Sequence, residues 1–493
     1  MRKIIKYYEE IIAYMVSFIV ALIFGFNSPL HPWVGSEAYT DSSVFKTVAL
    51  MMEHGYMPYK DSFDHKGPIL YILNWLGNRV SQYRGIWVIE IIFLSFTFYF
   101  LYKISRLTCN KGASVIVSFI ALSLLFGYYE GGNLTEEYAM PCIAIAIYIF
   151  LDYLLNNKIS KNRLVVSGIC FGMVLMLRPN MISVWVVYCI AISLLLVYKR
   201  AIKEWIGFIV YFFVGVAIIV IPVAIWLVVR GDLYYCIHDY IVFNMKYTSV
   251  EGGRALLSSK WSSFFKFFNT TVYIVAFFSM LFHIKETKMI NISYAIYLIL
   301  TIVFMVMSGM SYGHYGMILV PTVIYPISLA FSDIEKITEK NMQKAIFLLV
   351  SLYSLSMIIT PNWVTIIEGI VSKYEAKNDN HRSDVTNNIV NLIDDRTEEN
   401  DTISVYGNWD IIYVLSNRVH ATRYSYQFPI GQVMPEIMDE YMKDLQEELP
   451  NVVVISPGHL DDNIQGFLDK NNYQLLYSSN TEDQHNSAIL YYR

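Results

Sequence analysis

Eleven apolar runs, each about 17–25 residues and so about the length that crosses a bilayer, dominate the chain. They lie near 10–27, 86–104, 112–128, 138–155, 163–179, 180–198, 205–229, 264–283, 289–307, 315–331 and 344–360. Hydrocarbon offers no partner to a free peptide group, so runs of this kind are expected as α-helices. The connections between them alternate in charge. Arg2, Lys3 and Lys6 precede the first run, and Lys103, Arg106 and Lys111 follow the second. Then come Lys158, Lys161 and Arg163, Lys199, Arg200 and Lys203, Lys285 and Lys288, and Lys336, Lys340 and Lys344. By the positive-inside rule these basic loops and the N-terminus are expected in the cytoplasm. The segments 28–85, 129–137, 231–263 and 308–314, the turn around Pro179 and everything after the last run are then expected outside.

Composition agrees with a polytopic membrane protein: 55% of the residues are hydrophobic, 16% are charged and the mean hydropathy is +0.41. The 39 tyrosines suit helices that repeatedly meet the headgroup region. The first run follows a basic MRKIIKYY start without a small-residue cleavage pattern, so it reads as a membrane anchor. The five cysteines show no paired spacing and are expected as packing residues. The net charge of −4 says little about partners.

The first outer segment is unusually polar for its position. Residues 36–77 hold three aspartates, two glutamates, two histidines and three lysines. Asp41 to His54 has Val44, Phe45, Val48, Ala49, Met51 and Met52 on one helical side, which predicts an amphipathic helix at the membrane surface. Gly55, Pro58 and the run Asp61 to Lys66 predict an irregular loop, and Pro68 starts a second helix. Asp41 is thus placed at a helix N-terminus, where the backbone dipole favours a carboxylate. It is the candidate general base, with His65 and Lys66 as nearby cations suited to a phosphate. The same charges also fit ordinary capping and a solvated loop.

Other outer segments add candidates. Glu130, Glu136 and Glu137 lie in YYEGGNLTEEYAMP, where the last two either cap a helix or hold a metal ion or a sugar hydroxyl. Arg178 in MLRPN needs a partner or water at the membrane edge. Arg254 follows two glycines in a fourth outer loop that also carries His238, Asp239, Lys246 and Tyr247, and Tyr312 and His314 sit in SGMSYGHYG. No GxxxxGK[ST], HExxH or CxxC pattern is present, so ATP-driven chemistry and zinc peptidase action are unsupported.

After Thr360 the composition turns polar and acidic, and a soluble α/β module of roughly 130 residues is expected. Helices are expected near 384–395, at DIIYVLSN, at 434–448 and at 461–471, with strands at TISVYG, NVVVIS, YQLLYSS and AILYYR. Lacking a nucleotide loop or nucleophile motif, the module is assigned to recognition or shielding. The expected architecture is an α-helical polytopic membrane domain over 1–360, with interfacial helices in 28–85, and an extracytoplasmic α/β domain over 361–493.

Five segments resemble the GT-C superfamily of polytopic glycosyltransferases, which includes protein O-mannosyltransferases and lipid A aminoarabinose transferases. They are DSSVF at 41–45, PYKDSFDHKGPILY at 58–71, GGNLTEEYAMP at 131–141, LRPN at 177–180 and SYGHY at 311–315. VYGNWDIIYVLSNR followed by ATRYSYQFP is similar to the tail of such proteins. The resemblance implies transfer of a sugar from a polyprenyl-phosphate-linked donor to an outer acceptor, with Asp41 as base. Glu37 stands four positions before it, where the family often has an acidic pair. His65, Lys66, Arg178, Arg254 and His314 are then candidates for the donor phosphate and lipid, and Glu37, Asp61, Asp64, Glu136, Glu137 and Tyr312 for the acceptor or sugar. No nucleotide is required and a divalent cation is left open. The partners implied are the donor lipid, the bilayer and an envelope glycan, lipid or protein acceptor, with no nucleic acid. A lipid-linked sugar flippase and a non-catalytic export subunit are the alternatives, though the ionisable residues gather in outer loops rather than mid-helix, where a transport site is expected.

Overall fold

A computed structural model describes residues 2–33, 41–81, 84–156, 160–247, 270–285, 287–307, 312–336, 340–344, 384–480 and 487–493, with positions 346, 349 and 371. Glu37, Arg254 and nearly all of the expected run 344–360 lie outside the described residues. The chain divides into two compact units. One holds residues 1–31, 87–225 and 251–367, and the other 32–86, 226–250 and 368–493.

The helices of the first unit are α1 (Arg2–Phe24), α4 (Ile86–Ser105), α5 (Lys111–Phe126), α6 (Thr135–Asn156), α7 (Lys161–Leu175), α8 (Ser183–Tyr198), α9 (Ile202–Val229), α10 (Thr270–Phe282), α11 (Lys288–Met307) and α12 (Leu319–Glu335). Among the described residues, six segments are long and apolar enough to cross a membrane: Tyr7–Asn27, Ile86–Ser105, Thr135–Asn156, Ile202–Val229, Lys288–Met307 and Gly313–Glu335. Lys111–Phe126 and Ser183–Tyr198 are apolar but shorter. A short 3₁₀ turn at Pro179–Met181 parts α7 from α8, because proline leaves its nitrogen without a hydrogen to continue the helix. Phe213, Ile218, Ile221 and Ile225 of α9 are exposed, an apolar stripe that only lipid or protein can cover favourably.

Inside this unit polar groups are paired between helices. Tyr297 Oη lies 2.8 Å from Thr322 Oγ1, Ser183 Oγ lies 2.8 Å from Thr301 Oγ1, and Tyr325 Oη donates to Asn291 Oδ1 at 3.1 Å. Lys103 binds Glu10 at 2.5 Å, and Lys111 pairs with Glu9, so basic-loop residues tie α4 and α5 to α1. Helices α7 and α9 meet backbone to backbone. A Cβ on Gly168 would stand 2.0 Å from Phe212 O, and one on Gly215 2.0 Å from Val165 O.

The second unit contains α2 (Asp41–Glu53) and α3 (Pro68–Val80), followed later in the chain by α13 (Asp384–Arg396), α14 (Ile411–Ser416), α15 (Glu436–Glu448) and α16 (Asp462–Lys470). Its strands are β1 (Thr402–Tyr406), β2 (Val419–His420), β3 (Val452–Ile455), β4 (Gln474–Ser478) and β5 (Ile489–Tyr492), in the order β2-β1-β3-β5-β4. β1 runs parallel to β2 and β3, with Val405 opposite Val454, and β5 runs antiparallel to β3 and β4. Alternate strand residues face opposite sides. Val453, Ile455 and Tyr491 pack with Ile437, Tyr441 and Leu445 of α15 and Ile464 and Leu468 of α16. Val452, Val454 and Leu490 pack with Ile389 and Ile393 of α13, Ile411 and Ile412 of α14, and Leu50 of α2.

The expected surface helix is therefore buried on more than its apolar side. Lys46 and Thr47 are enclosed along with Phe45, Val48 and Ala49. The reason is the tail: Thr47 Oγ1 donates to Asp410 O at 3.2 Å, and Leu50 enters the sheet's core. Phe63, from the loop before α3, enters the opposite core, edge-on to Phe243 with centroids 5.1 Å apart.

The close approach of α7 and α9 leads to a stability test. Gly168→Val or Gly215→Val should cost about 1–3 kcal/mol through overpacking, lowering the thermal midpoint in detergent. Gly207→Val meets no atom within 4 Å and serves as control. Equal midpoints for all three would contradict the packing described.

Candidate active site

The candidates divide between the two units. Asp41, Asp61, Asp64, His65 and Lys66 belong to the second, and Glu136, Glu137, Arg178, Tyr312 and His314 to the first.

In the second unit Asp41 is the first residue of α2 and is exposed. Asp64 is buried, and its carboxylate accepts from Tyr71 Oη at 2.7 Å and from Tyr426 Oη at 2.9 Å. Burial pushes Asp64 above the usual carboxylate range, against the opposing pull of Lys66 and its hydrogen bonds. Tyr59, in the left-handed region at φ 67°, donates through Oη to Lys66 O at 2.8 Å and shapes the loop. Asp61 serves the same loop by accepting from Met57 N at 2.7 Å. Lys66 Nζ lies 2.6 Å from His65 Nε2. An ammonium only donates, so the imidazole nitrogen accepts and the pair carries one positive charge rather than two.

Asp410 joins this group from the tail, where it directly precedes α14. Burial, then the like charges of Asp64 and Asp41, push its carboxyl up to about 7. Asp232 is likewise raised to about 7 by burial, with Asp61 and Asp239 adding like charge, and accepts from Lys60 N at 2.8 Å. Arg423 binds Asp239 at 2.5 Å and donates through Nε to Tyr59 O at 2.8 Å. Asp232, Asp410 and Arg423 were outside the sequence-derived candidates, and Asp239 was named only as part of the fourth outer loop. The ATRYSYQFP resemblance contains Arg423 and Tyr426, but their pairings span more than 180 residues and leave no local periodicity.

In the first unit Arg178 pairs with Glu136 and lies over the Tyr315 ring, 4.1 Å from its centroid. This meets the demand of a membrane-edge arginine from within the protein. His314 Nδ1 lies 2.6 Å from Glu130 Oε2, and Gly313 N donates to Glu130 Oε1 at 3.0 Å. Tyr312 stacks on His314, with centroids 5.5 Å apart. Glu137 is buried and accepts from Asn133 N at 2.7 Å, while Glu90, also buried, accepts from Ser28 Oγ at 2.8 Å. Among the described residues no three His, Cys, Asp or Glu side chains are gathered as metal ligands. With Glu136 committed to Arg178, the described side chains do not fit a divalent cation.

Two tests follow. Removing one partner of a buried pair leaves the other charge uncompensated, at about 3–5 kcal/mol. Glu136→Ala should therefore destabilise strongly, and adding Arg178→Ala should restore part of the loss; additive losses in a double-mutant cycle would dissolve the pair. Asp410 holds its proton up to about 7 when folded but releases it near 3.8 when unfolded. The folded state therefore binds more protons between these values, and stability falls as pH rises through that window. Asp410→Asn removes this loss and should melt higher than wild type at pH 8, with the gap closing at pH 4. A constant gap would contradict the assignment.

ArnT from Cupriavidus metallidurans bound to undecaprenyl phosphate aligns with this chain at a TM-score of 0.65 and 12% identity, covering 97% of this chain and 98% of that one. Its apo state aligns at 0.60 and 10%, covering 97% of each. Archaeal oligosaccharyltransferase AglB from Archaeoglobus fulgidus, in complex with an inhibitory peptide and a dolichol-phosphate, aligns at 0.46 and 11%, covering 92% of this chain and 70% of that one. No curated protein matches the chain. The likeness to ArnT is one of fold, and it is the GT-C architecture implied by the sequence motifs. Residues 5–358 match the family described as "Putative competence-induced protein Ccs4 N-terminal domain", and over that majority of its length the chain belongs to this family.

Proposed function

We propose that this chain is a membrane glycosyltransferase that moves a sugar from a polyprenyl-phosphate-linked donor to an acceptor hydroxyl outside a bacterial plasma membrane. The observation that carries this reading is an exposed carboxylate at the head of α2, Asp41, in the same unit as the Lys66–His65 pair, within a GT-C fold. ArnT, the neighbour of that fold, binds undecaprenyl phosphate. Asp41 takes the proton of the acceptor hydroxyl as its oxygen attacks the anomeric carbon. The bond from that carbon to the phosphate oxygen breaks, the electron pair leaves on the phosphate, and Lys66 stabilises the developing charge. Glycosylated acceptor and polyprenyl phosphate are the products, so the energy comes from the donor.

The finer topology is part of the proposal. Eleven spans place the N-terminus in the cytoplasm and the 361–493 module outside, on the same side as the 28–85 segment. The acceptor belongs to the cell envelope, and the reaction to envelope polysaccharide biosynthesis.

The test is mass analysis of envelope glycans from a deletion strain complemented with wild type or Asp41→Asn. Loss of a general base lowers rate about 10²- to 10⁴-fold, so the variant should lack the transferred sugar while still binding undecaprenyl phosphate in detergent. Wild-type glycan from Asp41→Asn would sink the reading, since a flippase or a scaffold is indifferent to that substitution.

A further inference from the structure

Several cations at the basic ends of the first unit's helices are matched within it: Lys103 with Glu10, Lys111 with Glu9, Arg163 with Asp152 and Lys336 with Asp333. The turn between α8 and α9 is different. Lys199, Arg200 and Lys203 are exposed there, and their side chains make no ion pair or hydrogen bond with any described residue. Residues 198–206, YKRAIKEWI, hold these three cations and a single carboxylate, Glu204, which bears on Tyr153 of α6. Arg200 has φ 54°, in the left-handed region. The backbone at this point closes α8, with Arg200 N donating to Val197 O and Ala201 N to Leu196 O, both at 2.9 Å. A closing turn of this form ordinarily takes glycine, because a Cβ is disfavoured at positive φ. The positive-inside rule accounts for a basic loop but not for an arginine at this position, and an unfavourable backbone choice points to a use for its side chain. Beside the cations the surface is apolar. Tyr198 is 87% exposed, and Ile202, Ile206 and Val210, spaced four apart along α9, are exposed as well. A patch that is cationic at a helix end and apolar along the helix complements an amphiphile with an anionic head.

We propose that the Lys199–Lys203 turn binds the headgroup of an anionic phospholipid. The phosphodiester lies among Lys199, Arg200 and Lys203, where the guanidinium meets two phosphate oxygens at once and the two ammonium groups add point charges. An acyl chain follows Ile202, Ile206 and Val210, and Tyr198 stands at the headgroup level that tyrosine favours. This site is separate from the proposed glycosyl transfer and does not rest on it.

The experiment is native mass spectrometry of the full-length protein in detergent, titrated with phosphatidylglycerol or with phosphatidylcholine of the same acyl chains. Wild type should bind phosphatidylglycerol about tenfold more tightly, a difference of about 1.4 kcal/mol. Arg200→Gly, and Lys199→Gln combined with Lys203→Gln, should each bring the two lipids to within about twofold. Lys470→Gln, which removes an exposed cation of α16, should keep the full preference. Glycine adopts positive φ freely, so Arg200→Gly should melt no lower than wild type in lipid-free detergent, and its lost binding is then not lost folding. Equal affinity of wild type for the two lipids would overturn the proposal, as would a preference that survives both cluster variants or that falls as far in Lys470→Gln. Displacement of phosphatidylglycerol by an equal concentration of glycerol 1-phosphate would also overturn it, by making the ligand a soluble phosphate.

Discussion

A carboxylate taken out of water must be given hydrogen bonds in return, and Asp64 is the clearest instance in this protein. Its oxygens are met by Tyr71, a turn into α3, and by Tyr426, more than 360 residues later. That demand pins the DHKGP loop from both ends of the chain. His65 and Lys66 are thereby held one and two residues away from an anchored point, and Arg423 fastens the same loop through Tyr59 O while Phe63 N donates to Arg423 O at 2.8 Å. The loop is irregular yet held in place, because Tyr59, Asp61, Phe63 and Asp64 each answer to a specific partner.

Ionisable groups do two kinds of work in this protein. In the first unit Arg178 is paired with Glu136, and His314 is hydrogen-bonded to Glu130. Those pairs satisfy the cost of polar groups among apolar helices. In the second unit Asp41, Asp64 and Asp410 influence one another as like charges. Such an arrangement lowers stability, and structures keep it where chemistry benefits.

Much of this was legible in the sequence. The helical runs, Pro68 at the first turn of α3 and the alternating strand patterns of the tail follow from local periodicity and from proline and glycine chemistry. So did Asp41 at the head of its helix. The two-residue strand β2 escaped notice because it has no pattern of its own and exists only by pairing with β1. Asp410 was read as a helix start and nothing more, since its significance lies in burial beside Asp41 and Asp64. His65 was read as a second cation, and only the geometry of Lys66 Nζ at its ring nitrogen reduces the pair to a single charge.

Leu50, near the beginning of the polypeptide, is packed among Ile403, Val405, Val454 and Leu490, which lie near its other end. Ribosomal synthesis delivers these partners in that order. The apolar flank of α2 must wait, uncovered, while more than 350 residues are made. Any nascent chain that stops early carries α2 without the sheet that Leu50 packs against.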